Sequence, residues 1–403
     1  MLLDGPERRR SVPPGPRHPR RAGADRPLAA SQDEPGSVAD EEPGFVVPSL
    51  VDQYGLGVSH AEIGLGAFES HLAAAVGSRG PAAPGTTFFD SWLGLAVRRW
   101  CPPLLGVEPH CTPAHYLAAR RALGAYQATR LLLRGCGVGT YLLAAGAVEA
   151  PLSATELASA TGAPTYEIVP IQALAGQVAD GSHTARGFLA ATADALAGAP
   201  ARRAVAFAIA PGPLPAAPPD ARAVREAAER WLRARARGAR PSDPVLLRHL
   251  LWSALTTGLP IQLHCPEPDR VADFLAATVG LGTDLVLLPG HGGHRSAARL
   301  AATFPHVYAD IGPAPWETLR LAPFGKLLFS TGARGLPELY VVAARQFAAA
   351  MTHLAAEWCA EGVCTPPQAQ RIADLVAFGT ARRVYRLPAE AGSSAAAPSS
   401  ARG

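Results

Sequence analysis

Twelve histidines are available to this chain, and the arrangement around His264 points most directly to chemistry. It ends a short apolar run, Leu259-Pro260-Ile261-Gln262-Leu263-His264-Cys265. Gln262 lies two residues earlier, so on an extended strand both side chains share one side. A glycine-rich turn, Gly290-His291-Gly292-Gly293-His294, supplies two further imidazoles, and Asp310 and Glu267 could add carboxylate oxygens. In a closed barrel a histidine at the C-terminal end of a strand would sit at the mouth, where barrel enzymes keep their chemistry. Other chemistries are poorly supplied. Lys326 is the only lysine, so a Schiff base or a carbamylated lysine bridging two metals would have to use it. Cys265 adjoins His264, but strand neighbours point to opposite sides, which misplaces them for proton exchange. For Asp310, inside an apolar run, a hydrogen-bonded structural carboxylate is the competing role.

These residues need elements to carry them. Eight short apolar runs read as strands, over 46–51, 138–145, 167–173, 203–210, 259–265, 284–288, 307–312 and 326–331. Helical patterns separate most of them. Ser153 and Glu156 form a capping box, Ser242 is placed to cap 245–255, and 114–133 is the clearest helix in a long segment between the first two strands. Residues 220–237, 268–279 and 294–304 continue the alternation, and 366–385 supplies a final amphipathic helix. Glu338 falls in the first turn of a long helix, where a carboxylate suits the helix dipole. Strand–helix alternation of this kind predicts an α/β fold, a (β/α)8 TIM-type barrel with an inserted helical segment between strands 1 and 2. In such a barrel the strand ends carrying His264 and Asp310 form the mouth, where barrel enzymes keep their chemistry.

Composition sets the outer limits. With 48% hydrophobic and 17% charged residues the chain can bury a large core. A net charge of +4 over 403 residues gives no footprint for nucleic acid, and no apolar run reaches the length of a membrane span. Six cysteines without paired spacing read as free thiols in a reducing, cytoplasmic setting. Residues 1–43, basic then acidic and rich in Pro and Gly, read as a disordered tail, as do 388–403, leaving 44–387 for the barrel.

Blocks in the second half carry a resemblance. Asp243-Pro244-Val245-Leu246-Leu247-Arg248-His249-Leu250-Leu251-Trp252 runs into Leu259 to His264. Phe304-Pro305-His306-Val307-Tyr308-Ala309-Asp310 follows, then Ala322-Pro323-Phe324-Gly325-Lys326-Leu327-Leu328-Phe329-Ser330, and finally Ala381-Arg382-Arg383-Val384-Tyr385. In this order they resemble the amidohydrolase-related barrels, in the branch that also occurs beside glutamine synthetase domains. The resemblance implies a divalent metal held by a His-x-His on strand 1, histidines on strands 5 and 6, and an aspartate ending strand 8. Those positions here are Tyr54 and Leu56 on strand 1, His264 on strand 5, and Gly332 after strand 8. On strand 6 the ungapped register gives Pro289, and a two-residue shift gives His291.

Two readings follow. The first is an amidohydrolase-family barrel whose metal site is degraded, weakly active or inactive in hydrolysing C–N bonds. It needs no cofactor and binds a small polar molecule through Tyr54, Gln262, His264 and His291. The alternative is an active amidohydrolase or decarboxylase with zinc on a rearranged site built from His264 and His291 or His294, with Asp310 or Glu267 supplying oxygen. Neither reading needs nucleic acid or a membrane, and neither opposes a homo-oligomer.

Overall fold

In a computed structural model the described residues are 45–59, 61–78, 80–144, 151–235, 241–290 and 292–388. The expected tail 1–43, residues 389–403 and His291 lie outside them. Eight parallel strands run in the order β1 to β8 without a crossover. They are β1 (Leu50–Gly55), β2 (Val138–Ala144), β3 (Thr165–Pro170), β4 (Ala204–Ile209), β5 (Ile261–His264), β6 (Leu285–Leu288), β7 (Val307–Asp310) and β8 (Leu327–Leu328). This is the expected (β/α)8 barrel, with four helices inserted between β1 and β2: Leu65–Ala75, Trp92–Leu104, Pro113–Leu123 and Ala125–Gly135.

Alternation along the strands divides the core in two, as parallel strands covered on both faces require. Ile261, Leu263, Leu285, Leu287, Val307 and Ala309 pack outward against the helices. Val51, Leu142, Ile168, Ala206, Val286, Leu288, Tyr308 and Leu328 fill the barrel, and Val384 and Tyr385 pack with them. Small Ala206 and Ala208 beside large Tyr308 and Leu288 let the inward layers interdigitate at interior density.

The barrel closes between β1 and the chain after β8. Gln53 N–H donates to the Phe329 carbonyl at 3.2 Å, Gly332 N–H to Tyr54 at 3.0 Å, Leu56 N–H to Ala333 at 2.9 Å and Gly335 N–H to Gly57 at 2.8 Å. The Asp52 side chain reinforces this seam, accepting from Thr331 N–H at 2.8 Å and Thr331 Oγ1–H at 2.6 Å.

Several boundaries differ from the sequence expectation for identifiable reasons. β1 spans 50–55 instead of 46–51, because polar Asp52 and Gln53 are fully buried in it. β3 ends at Pro170, and residues expected to extend it, Gln172 among them, begin the helix Ile171–Asp180. β8 is two residues long. The helix Pro244–Leu255 is capped by Asp243, whose carboxylate accepts from Val245 N–H at 3.0 Å, and not by Ser242. Gly124, at φ 78°, splits the expected 114–133 helix. The last helix is interrupted by a π turn, Leu375–Gly379. The Ser153–Glu156 capping box forms as expected. All six cysteines are free, and no helix among the described residues is long and apolar enough to cross a membrane.

Glu338 is a larger surprise. It opens the 24-residue helix Pro337–Ala360, where the dipole favours a carboxylate, but it is fully buried. Its Oε1 accepts from Arg120 Nε at 2.9 Å and from Tyr116 O–H at 2.8 Å, so the inserted helices are tied to the barrel by a buried ion pair. Removing one partner of such a pair strands the other charge in apolar surroundings. Arg120→Met should therefore lower unfolding stability by about 3–5 kcal/mol in urea titrations. Arg120→Met combined with Glu338→Leu should recover most of that loss.

Candidate functional site at the barrel mouth

β5 ends with His264 half-buried above Gln262. Gln262, expected to face a ligand, is fully enclosed. Its Nε2 donates to the Gln53 carbonyl and to Tyr385 Oη, both at 2.8 Å, and Tyr385 O–H donates to Gln53 Oε1 at 2.6 Å. This triad forms a polar floor within the barrel, because buried amides must spend their donors on protein partners where water is absent.

Above the floor, alternation on β7 turns Asp310 inward with Tyr308, and alternation beyond β8 turns Ser330 inward with Leu328. The carboxylate is surrounded by donors. Gly312 N–H approaches Oδ1 at 2.9 Å, Gln53 Nε2 approaches Oδ2 at 3.3 Å, and Ser330 O–H donates to Oδ2. His294 Nε2 stands 3.5 Å from Oδ1. The ring of His294 lies against Gly312, where a β-carbon would come within 2.4 Å of Cδ2. Only glycine leaves room for it, and Gly312 also sits at φ 73°, a conformation that disfavours side chains.

Tyr54 and His264 meet edge to face, with ring centroids 4.9 Å apart. A bulge in β1 between Asp52 and Gly55 explains how Tyr54, directly after inward Gln53, still reaches the interior. The Tyr54–His264 pair lines two cavities. One, of about 510 Å³, contains Asp310, His294, Ser330 and Thr331, with Leu93 and Ala75 of the inserted segment and Phe347 of the long helix forming apolar wall. The other, of about 400 Å³, contains Leu56, Gln172, Gln177 and Arg235. Both volumes fall in the range of small-molecule sites. Glu267 lines neither; it pairs with Arg270 at 2.8 Å on the surface.

Burial sets the protonation of two groups. Desolvation lowers His264 to about 4, so the ring is neutral near pH 7. Desolvation also raises Asp52 to about 6, against the opposing hydrogen bonds from Thr331. Among the described residues no three His, Cys, Asp or Glu side chains converge as a cation site. Tyr54 and Leu56 place a phenol and an alkyl group, and Gly332 nothing, at three positions where the resemblance requires ligands. Asp52, Ser330 and Thr331 were missed from the sequence. The two-residue spacing of Leu328 and Ser330 could have signalled the serine.

No family model matches the chain. It is 31% identical to Protein fluG of Emericella nidulans over 105 residues, which is 23% of this chain and 12% of that protein. The chain thus spans about an eighth of the curated relative it matches. Three solved structures are similar across most of its length. A Lactobacillus casei protein assigned by inference as a metal-dependent hydrolase aligns with TM-score 0.70 and 19% identity, over 84% of this chain and 95% of that one. These likenesses establish the fold. A uronate isomerase from Thermotoga maritima aligns at TM-score 0.51 and 14% identity over 75% and 83% of the two chains. A glucuronate isomerase from Caulobacter crescentus gives 0.55 and 14% over 85% and 92%. The barrel fold is thus shared with these three proteins.

The two buried titrations act on stability with opposite signs. Asp52 moves from an ordinary 3.8 up to about 6, so its contribution is complete below pH 3.8 and is lost as pH rises through 6. His264 moves from 6.5 down to about 4, so its contribution is complete above 6.5 and is lost as pH falls through 4. Each amounts to about 3 kcal/mol at most. Melting temperatures from pH 4 to 7 should show this: Asp52→Asn steepens the loss of stability on acidification, and His264→Gln makes it shallower.

Proposed function

We propose that this protein is an amidohydrolase-related barrel that binds a small molecule at its mouth and has lost most or all metal-dependent hydrolysis. One observation carries the reading: the strand-1 position facing His264 is filled by the ring of Tyr54, 4.9 Å from the imidazole. A phenol whose pKa burial pushes above its ordinary value is a poor anionic ligand, and Leu56 and Gly332 offer no donor atom. A catalytic zinc lowers the pKa of its water from about 15.7 to about 7, worth about 12 kcal/mol of nucleophile activation. None of the side chains here replaces that contribution. What the mouth retains is shape and polarity: a walled cavity, a neutral imidazole and a carboxylate held by three hydrogen-bond donors.

The alternative, a rearranged zinc site and an active hydrolase or decarboxylase, draws on His264 and His294 lining one cavity with Asp310. Elemental analysis of protein purified without a histidine tag separates the two. We expect substoichiometric zinc, manganese and iron, unaffected by His264→Ala. Near-stoichiometric metal that is lost in His264→Ala would establish the alternative.

A further inference from the structure

The hydrogen-bond accounting around Asp310 identifies the chemistry of the ligand, and this inference rests on the small-molecule reading above. A carboxylate only accepts, so each group facing it must spend a hydrogen there. Ser330 spends its single hydroxyl hydrogen on Oδ2. The serine oxygen keeps lone pairs and no hydrogen, and His294 Nε2 stands beside the same carboxylate, 3.5 Å from Oδ1. The polar end of the 510 Å³ cavity therefore offers the Ser330 oxygen as an acceptor backed by the Asp310 carboxylate. Among the described residues lining this cavity there is no lysine and no arginine. The rest of its wall is largely apolar, from Leu93, Leu288, Leu339 and Phe347.

We propose that this cavity binds a small primary amine with an apolar, aryl-sized body. Its ammonium donates to Ser330 Oγ beside the Asp310 carboxylate, and its body lies against Leu93 and Phe347. A carboxylate ligand is disfavoured. It would face the Asp310 charge with no lysine or arginine in the described lining to offset it. The cavity thus selects against the acidic sugars named for two of its fold neighbours.

Three probes with the same body and different heads test this by calorimetry on the full chain: 2-phenylethylamine, 2-phenylethanol and phenylacetate. The amine should bind most tightly, the alcohol on the order of tenfold more weakly, and phenylacetate not measurably. Asp310→Asn should weaken the amine on the order of tenfold while leaving the alcohol nearly unchanged. Should that variant fail to fold, Ala343→Trp, which fills the cavity from a half-buried wall position, should abolish binding of the amine. Equal or tighter binding of phenylacetate, binding of none of the three at millimolar concentration, or amine affinity unchanged in the folded variants would overturn the proposal. Metal content measured on the same preparation keeps failure of this ligand assignment distinct from failure of the metal-free reading.

Discussion

A barrel of parallel strands must bond its first strand to its last, and here that closure controls everything at the mouth. β8 contributes only two residues of regular strand, so the seam is completed by less regular chain running from Phe329 to Gly335. Five backbone bonds across it link positions 53–59 to 329–335, and the Asp52 carboxylate fastens Thr331 from the side. The cost is a buried acid whose pKa rises because water is excluded. The return is positional: Tyr54, Ser330 and Thr331 all reach the mouth cavity from this one seam.

Below the seam, Gln53, Gln262 and Tyr385 fill the barrel axis with a hydrogen-bonded floor. Such a network is favourable only when nearly every member is satisfied, because the surrounding low dielectric penalises an orphan. Gln262 Oε1 is such an orphan. Asp310 sits at the boundary, joined downward to Gln53 and upward to Ser330 and His294. The rigid floor and the ligand-facing groups are thus one connected system.

Legibility in the sequence followed burial. β4 and β6 are apolar on both faces and β2 largely so, and their composition announces them; β5 and β7 are announced by the apolar residues that surround Gln262, His264 and Asp310. β1 is not, because Asp52 and Gln53 make half of it look like loop. They are tolerable inside only because Thr331, Tyr385 and Asp310 arrive from more than 250 positions away. Period-two spacing puts Gln262 and His264 on one side of β5, and both do face the interior, Gln262 one layer deeper and enclosed in the floor. Arg120 and Glu338 looked like ordinary charges on helix surfaces. No local pattern reports that two such charges, 218 positions apart, will be buried together.

That separation also bears on how the molecule is made. As the chain leaves the ribosome, Arg120 emerges long before Glu338, and β1 long before Thr331. The inserted helices can form early, but their buried cation has no counter-charge until the final third has been synthesised. The first strand likewise waits for the chain beyond the last before its acid is covered. Barrel closure and docking of the insertion therefore both await the final third of the chain, where Thr331 and Glu338 lie.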